Sequence, residues 1–369
     1  MNIMKLITWY YGKKLNPKTI DRCLHKAVDG SAPPKKPLPR EGELIVSCVQ
    51  RQTRFVRSAG GYVSALQGFV REASQQGSSL VIFPEYNFFD LFGFIPGFTA
   101  LNWIITAKAK KRLASPPAEQ PAPGAQTKST ASQGDPNGMG AFFMALSGPV
   151  ERAVRQIISF LSSAYGITIY SGSFVAGEGG HLYNQGCLYG PDGACIGTQR
   201  KMHLTDSESQ MGMSRGAEIK VFTLPFGTVA FPVCMDATYF ETFRLAIERG
   251  ADIVILPISN DEEYEELRAL RGIWTRVQES FVYGLKSSQN GWIAGMHFTG
   301  KAGVFAPLSM TPGRDGVVSI SPQPEGNFLV TTPIDIEKLR QARKTAMYFG
   351  DSNAAFESDY VSRTYSILP

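Results

Sequence analysis

Cys234 closes an apolar run, Val229-Ala-Phe-Pro-Val233, and is followed by a helix-like stretch from about Ala237 to Arg249. A strand that stops in a sharp turn into a helix leaves the turn residue on the rim of a sheet. The backbone N–H groups behind it are then aimed at whatever that residue holds. A thiol placed there is a candidate nucleophile; the other reading is a buried cysteine packing as a small hydrophobe. Two more reactive side chains follow extended runs: Glu85 after Leu80-Val-Ile-Phe-Pro84, and Lys201 after the stretch Ala194–Gln199. A carboxylate can take the thiol proton and return it to a leaving amine. An ammonium can hold the negative oxygen of a tetrahedral intermediate, helped by the N–H of Met235 after the cysteine. It also favours thiolate. Singly, a strand-end Glu or Lys reads as a solvated charge; the three together make the case.

Several elements must position these residues. Glu43–Gln50 reads as a buried strand. Tyr62, Leu66, Phe69, Val70 and Ala73 then fall on one helical face. Ser79–Phe83 is another apolar strand, so the opening rhythm is βαβ. Val150, Val154, Ile157, Ile158, Leu161 and Tyr165 mark a helix that takes Pro149 in its first turn. Strands are expected at 168–173, 184–189, 194–199, 221–224, 229–233 and 252–257. A long helix follows over about 262–282, then strands at 292–297, 302–306, 317–320 and 327–334, and a helix over 335–344. This mixed order suits two sheets covered by helices. The domain division is 1–42, a helical segment ending in the Pro-rich run 31–39; 43–345, the main domain, compact from about Glu41, with an insertion at about 91–145; and 346–369, a tail. In the insertion, an apolar segment over 91–106 precedes Lys108, Lys110, Lys111 and Arg112, and 115–140 is Pro/Ala/Gln/Ser/Gly-rich without periodicity. The apolar part reads as a core or dimer-contact helix. Read with its basic end, 91–112 is a peripheral membrane contact or a greasy substrate lid.

Of 369 residues, 43% are hydrophobic, and the formal charge of +5 is spread among interleaved acids, which argues against a nucleic-acid protein. Cys23, Cys48, Cys187, Cys195 and Cys234 contain no CxxC pair, so neither a disulfide framework nor a zinc ribbon is expected. The histidines have no metal-ligand spacing, and a reducing, cytoplasmic setting fits. The N-terminus lacks a cleavage site, and no window has the ~18 uninterrupted apolar residues of a membrane span.

Leu80-Val-Ile-Phe-Pro-Glu85, Arg200-Lys201-Met-His-Leu204 and Val233-Cys234-Met-Asp236, in that order, resemble the nitrilase superfamily of carbon–nitrogen hydrolases. Further likenesses are Gly250–Pro257, Arg276-Val-Gln-Glu279, Phe298–Lys301 and Phe305–Pro307. The resemblance runs from about Glu43 to Arg343, apart from the insertion. It implies an α/β fold, a four-layer αββα sandwich with two central mixed sheets, usually dimeric or further assembled. It also implies an acyl-enzyme mechanism without metal or organic cofactor. By position, Glu85 matches the general base, Lys201 the oxyanion lysine and Cys234 the nucleophile. Glu208 resembles the family's second, substrate-orienting glutamate, with Glu218 the weaker candidate. His203 is expected to bond locally. Met235-Asp236 stands closer to the Tyr-Asp of amidase branches than to the Trp-Glu of nitrilases. The implied substrate is a small-molecule amide, hydrolysed through a thioester. Acyl transfer or nitrile hydrolysis on the same triad is the alternative, and a non-catalytic scaffold a more distant one. The acidic group 260–266 reads as a solvated helix start or as a contact for a cationic amine.

Overall fold

Alternate residues of the central strands face different cores. Val46 and Cys48 of β1 (Glu43–Gln52) and Leu80 and Ile82 of β2 (Leu80–Ile82) cluster with Ile253 and Ile255 of β8 (Ile253–Ile258). Their neighbours Val49, Val81 and Phe83 turn the other way, against α3 (Ala59–Gln75) and α5 (Pro136–Tyr165). Val254, Leu256 and Ile258 pack on Phe243 of α7 (Phe240–Glu248) and on Ile273 and Val277 of α9 (Ile273–Ser280). Strands buried on both faces read as unbroken apolar runs, and the outcome is helix, sheet, sheet, helix. This computed structural model describes residues 3–28, 43–113 and 136–346, with 353–356, 358–359 and 362–366 of the tail; structural statements below concern those residues.

The first sheet runs β5 (Cys195–Arg200), β4 (His181–Tyr189), β3 (Thr168–Glu178), β2, β1, β13 (Phe328–Asp335). The second runs β6 (Val221–Leu224), β7 (Gly227–Ala230), β8, β9 (Tyr283–Ile293), β11 (Gly303–Phe305), β12 (Val317–Ile320), with β10 (Met296–Phe298) folded back on β9. One short parallel pairing, Gln50–Gln52 beside Ser288–Asn290, links them at a corner. This is the mixed sandwich expected. The sequence reading missed most of β9. Its middle, Lys286-Ser-Ser-Gln-Asn290, is polar yet buried. Ser287 donates to the carbonyl of Phe83 across the sheets and Asn290 to that of Gly326. Polar groups satisfied by cross-sheet bonds leave no hydrophobic period to read. The expected long helix over 262–282 is instead α8 (Glu266–Leu270) and α9, separated at Gly272 and stopped by Phe281 in left-handed backbone, φ 50°.

The helix expected to begin at Pro149 begins at Pro136. Pro149 has no N–H, so the carbonyl of Ala145 loses its intrahelical donor. Thr8 of α1 (Ile3–Lys14) replaces it, its hydroxyl 2.9 Å from that oxygen. Tyr11 and Leu15, with Ile20 and Leu24 of α2 (Pro17–Val28), are buried in the same cluster as α5. The N-terminal helices thus belong to the compact body, and the body does not begin near Glu41. Nor is 91–145 a separate insertion throughout: Leu91, Phe92 and Phe94 are buried with Phe143 and Leu146. The Pro-rich run 31–39, residues 114–135 of the biased loop, and much of the tail lie outside the described residues.

Candidate active site

Glu85 follows β2 in a loop fixed from behind. Arg51 donates to the carbonyl and side-chain oxygens of Asn87, both at 2.9 Å, and pairs with Asp90; all three are buried. Gly172 of β3 lies so close that a Cβ there would stand 2.1 Å from the carbonyl of Pro84. Tyr86, next to the carboxylate, takes left-handed backbone, φ 51°. Lys201 follows β5, its N–H bonded to the carbonyl of Asn184 at 2.9 Å.

Cys234 leaves β7 through Phe231-Pro232-Val233 and opens a 3-10 turn, Cys234–Thr238. Its own φ is +46°, a conformation costing a non-glycine residue ~1–2 kcal/mol. Asp236, wholly buried, offsets that strain. One oxygen accepts from Val233 N at 2.9 Å; the other accepts from Met202 N at 3.0 Å and His203 N at 2.7 Å. Asp236 thereby ties the Cys234 turn of the second sheet to the Lys201 loop of the first. From below, Arg276 of α9 donates to the carbonyls of Ala237 and Thr238 and pairs with Glu279. The Arg-x-x-Glu likeness of the sequence is therefore a brace under the turn.

The structure brings Glu85, Lys201, Glu208 and Cys234 together. Lys201 Nζ lies 2.8 Å from Glu85 Oε1 and 2.8 Å from Glu208 Oε2. Asn184 Nδ2 donates to one oxygen of each carboxylate at 2.9 Å. Tyr86 OH donates to Glu208, and Thr205 N to its other oxygen at 2.9 Å, within a capping box that opens α6 (Asp206–Gln210). The thiol lies 3.5 Å from Asn260 Oδ1, and the charge of Glu85 acts on it. Met235 is the second residue of the turn, where opening N–H groups have no partner inside it.

Burial sets the charges. It pushes the Glu85 carboxyl up, Lys201 pulls it back, and Glu208 pushes it up again; the result stays above the ordinary range. Glu208 is buried too, yet the charge of Lys201 and the donors around it hold it down as a carboxylate. Burial alone would lower Lys201, but Glu85, Cys234 and Glu208 outweigh it, so the ammonium persists. Burial and the charge of Glu85 push Cys234 well up, which makes the resting group a thiol. A thiol beside a carboxylate of raised basicity needs only a short proton transfer to become a nucleophile.

Glu218 lies elsewhere, exposed and paired with Lys220. His203 bonds Asp236 through Nδ1 at 3.0 Å and stacks on Tyr239, local bonding as expected. The acidic group is taken up in pairs: Glu262 with Arg271, Glu265 with Arg268, Glu263 with His297. Sequence reasoning missed Tyr86, Asn184 and Asn260. Tyr86 carries a weak signal, adjacency to Glu85; the other two are ordinary strand-edge amides until the sheets assemble.

The Carbon-nitrogen hydrolase family pattern matches residues 45–344. The probable hydrolase YhcX of Bacillus subtilis (strain 168) is 30% identical over 194 residues, which span 51% of this chain and 37% of that protein. The omega-amidase NIT2 of Homo sapiens is 22% identical over 207 residues, 53% of this chain and 71% of that one. Omega-amidase NIT2 of Danio rerio is 29% identical over 33% of this chain and 47% of its own length. The chain thus spans less than half of two of these relatives. Among solved structures, a carbon-nitrogen hydrolase from Helicobacter pylori G27 superposes with a TM-score of 0.62 at 16% identity, covering 86% of this chain and 98% of that one. A variant amidase from Nesterenkonia sp. AN1, carrying the acetamide moiety of fluoroacetamide on its active-site cysteine, gives a TM-score of 0.59 at 16% identity over 88% and 100%. At such identities the superpositions speak for the fold. The family match spans most of the chain, and the chain belongs to the carbon–nitrogen hydrolase family.

Proposed function

We propose that this protein hydrolyses a small-molecule amide through a thioester on Cys234. The observation that carries the reading is the cluster: the buried Lys201 ammonium lies 2.8 Å from the buried Glu85 carboxylate, and the charge of that carboxylate acts on the half-buried Cys234 thiol. Glu85 takes the thiol proton as Sγ bonds to the carbonyl carbon. The oxygen, now negative, is held by Lys201 and the N–H of Met235. Collapse breaks the C–N bond, and the proton on Glu85 leaves with the amine. Water, deprotonated by Glu85, attacks the thioester; the C–S bond breaks and the acid departs. No step calls on a metal or an organic cofactor. Glu208 is assigned a positioning part. Its oxygens are occupied by Lys201, Tyr86, Asn184 and Thr205, so it aims the ammonium.

The amidase names of the relatives support an amide over a nitrile. A homodimer is part of the reading, since α7 and the residue before it carry Tyr239, Phe240 and Leu245 exposed on the surface; so is a reducing, cytoplasmic setting for five free cysteines. The test is mass spectrometry of the protein after incubation with amides bearing short, aromatic, amino-acid and long-chain acyl groups. A mass increment equal to one acyl group, absent in Cys234→Ala, is expected, with turnover falling on the order of 10⁴-fold or more in that variant. Turnover that survives Cys234→Ala would sink the mechanism. Acyl groups passed to an added amine in preference to water would convert the reading to acyl transfer.

A further inference from the structure

A helix on a protein surface is expected to turn polar residues to water, and the first half of α4 (Phe98–Leu113) turns out apolar ones instead. Its buried side is narrow. Asn102 points inward, donating to the carbonyl of Trp292 at 3.1 Å and accepting from Ala294 N at 2.5 Å, which pins the helix to the β9–β10 hairpin. The opposite side shows Trp103 at 73% exposure, with Leu101 and Ile104 also exposed. Beyond them the last turns carry Lys108, Lys110, Lys111 and Arg112. No acidic residue occurs between Asp90 and Glu119. A second helix repeats the composition. α1 is fastened to the start of this region by Tyr10 and Tyr11, whose hydroxyls donate to the carbonyls of Phe94 and Leu91. It exposes Ile3, Leu6 and Trp9 among Lys5, Lys13 and Lys14, and the first acid of the chain is Asp21.

We propose that α4, with α1 contributing, seats the protein on an anionic lipid surface. An exposed apolar face calls for a covering partner, and the charge decides which. A second copy would cover the apolar side chains but leave the basic end without counter-charge, whereas an acidic headgroup layer neutralises it at ~1 kcal/mol per cation. Trp9 and Trp103 suit the boundary between headgroups and acyl chains. The contact is peripheral, because no described helix is long and apolar enough to cross a membrane.

The seat has a route to the cleft. The hairpin that holds Asn102 continues into His297, which bonds Glu263 at 2.7 Å in the loop that also carries Asn260. Asn260 in turn contacts the Cys234 thiol. A chain docked on α4 is thus connected to the site through this hairpin and loop.

The experiment is co-sedimentation of the full chain with vesicles of phosphatidylcholine alone and of phosphatidylcholine with phosphatidylserine, at low and high salt. The expected result is binding to the anionic vesicles only, weakened at least five-fold by Trp103→Glu with Ile104→Glu and by Lys108→Glu with Arg112→Glu. Circular dichroism and thermal midpoints of the variants should match wild type, since these side chains project outward. Absence of wild-type binding overturns the proposal, as does binding indifferent to both pairs. So does sedimentation velocity showing that Trp103→Glu with Ile104→Glu dissociates a dimer, which would make the face an interface between copies.

Discussion

Glu208 collects more donors than Glu85, and that difference assigns their parts. A base must keep an oxygen available; a positioning group does not. Glu208→Gln keeps the shape and removes the charge, so kcat should fall about ten- to hundred-fold with KM little changed. Because the charge of Glu208 helps keep the Glu85 carboxyl high, its loss lowers that group, and the acid limb of the pH–rate profile should move to lower pH. A shift to higher pH, or no shift, would contradict the assignment. A second residue stands outside the chemistry. Lys286 of β9 is buried, its nearest partner the ring of Phe305 at 5.4 Å. Burial, then Lys301, push its amine down to about 8. Below about pH 8 the group is charged in both folded and unfolded chains, and folding bears the whole cost, ~3 kcal/mol against a free lysine near 10.4. Between those values the folded protein sheds the proton first and the cost fades as pH rises. Lys286→Met should raise the urea midpoint at pH 7 by an amount equivalent to ~2–3 kcal/mol, with the gain shrinking toward pH 10. An unchanged or lowered midpoint at pH 7 would show the ammonium to be better accommodated than its partners indicate.

Elements obey the sequence where one physical signal dominates and depart from it where two compete. The strand ends bearing Glu85 and Cys234 were legible because apolar runs stop abruptly there, and that of Lys201 because it follows an extended stretch. β9 was not, because its middle is polar yet buried, Ser287 and Asn290 being held there by partners distant in sequence. Pro149 reads as a helix start, its commonest position, but lies inside α5, where the donor it removes is replaced by Thr8. Asp236 was legible as a family-like residue, but its joining of two loops exists only in the assembled sandwich. The Thr8 substitution yields a clean test. Thr8→Val should cost ~1–2 kcal/mol by leaving the Ala145 carbonyl unmet. Pro149→Ala should restore the intrahelical donor and make Thr8→Val nearly neutral in that background, a coupling readable in a double-mutant cycle of unfolding free energies. Additive effects would mean the hydroxyl does not serve that carbonyl.

At the scale of the molecule, the family match begins at residue 45, but the buried body includes Tyr11, Leu15, Ile20 and Leu24. Each such side chain contributes ~1.5–3 kcal/mol, so together they approach the whole stability of an ordinary domain, ~5–15 kcal/mol. Removing residues 1–28 should give a chain that fails to show a cooperative unfolding transition; a well-formed transition near the wild-type temperature would refute this. The sandwich has another property of scale. Glu85 and Lys201 hang from the first sheet and Cys234 from the second, and the strand pairing between the sheets is confined to one corner. The distance between proton acceptor and sulfur is therefore a reading of how the two halves are seated. Enzymatic activity becomes a strain gauge for the sandwich, expected to fade at denaturant concentrations where each half still keeps its secondary structure.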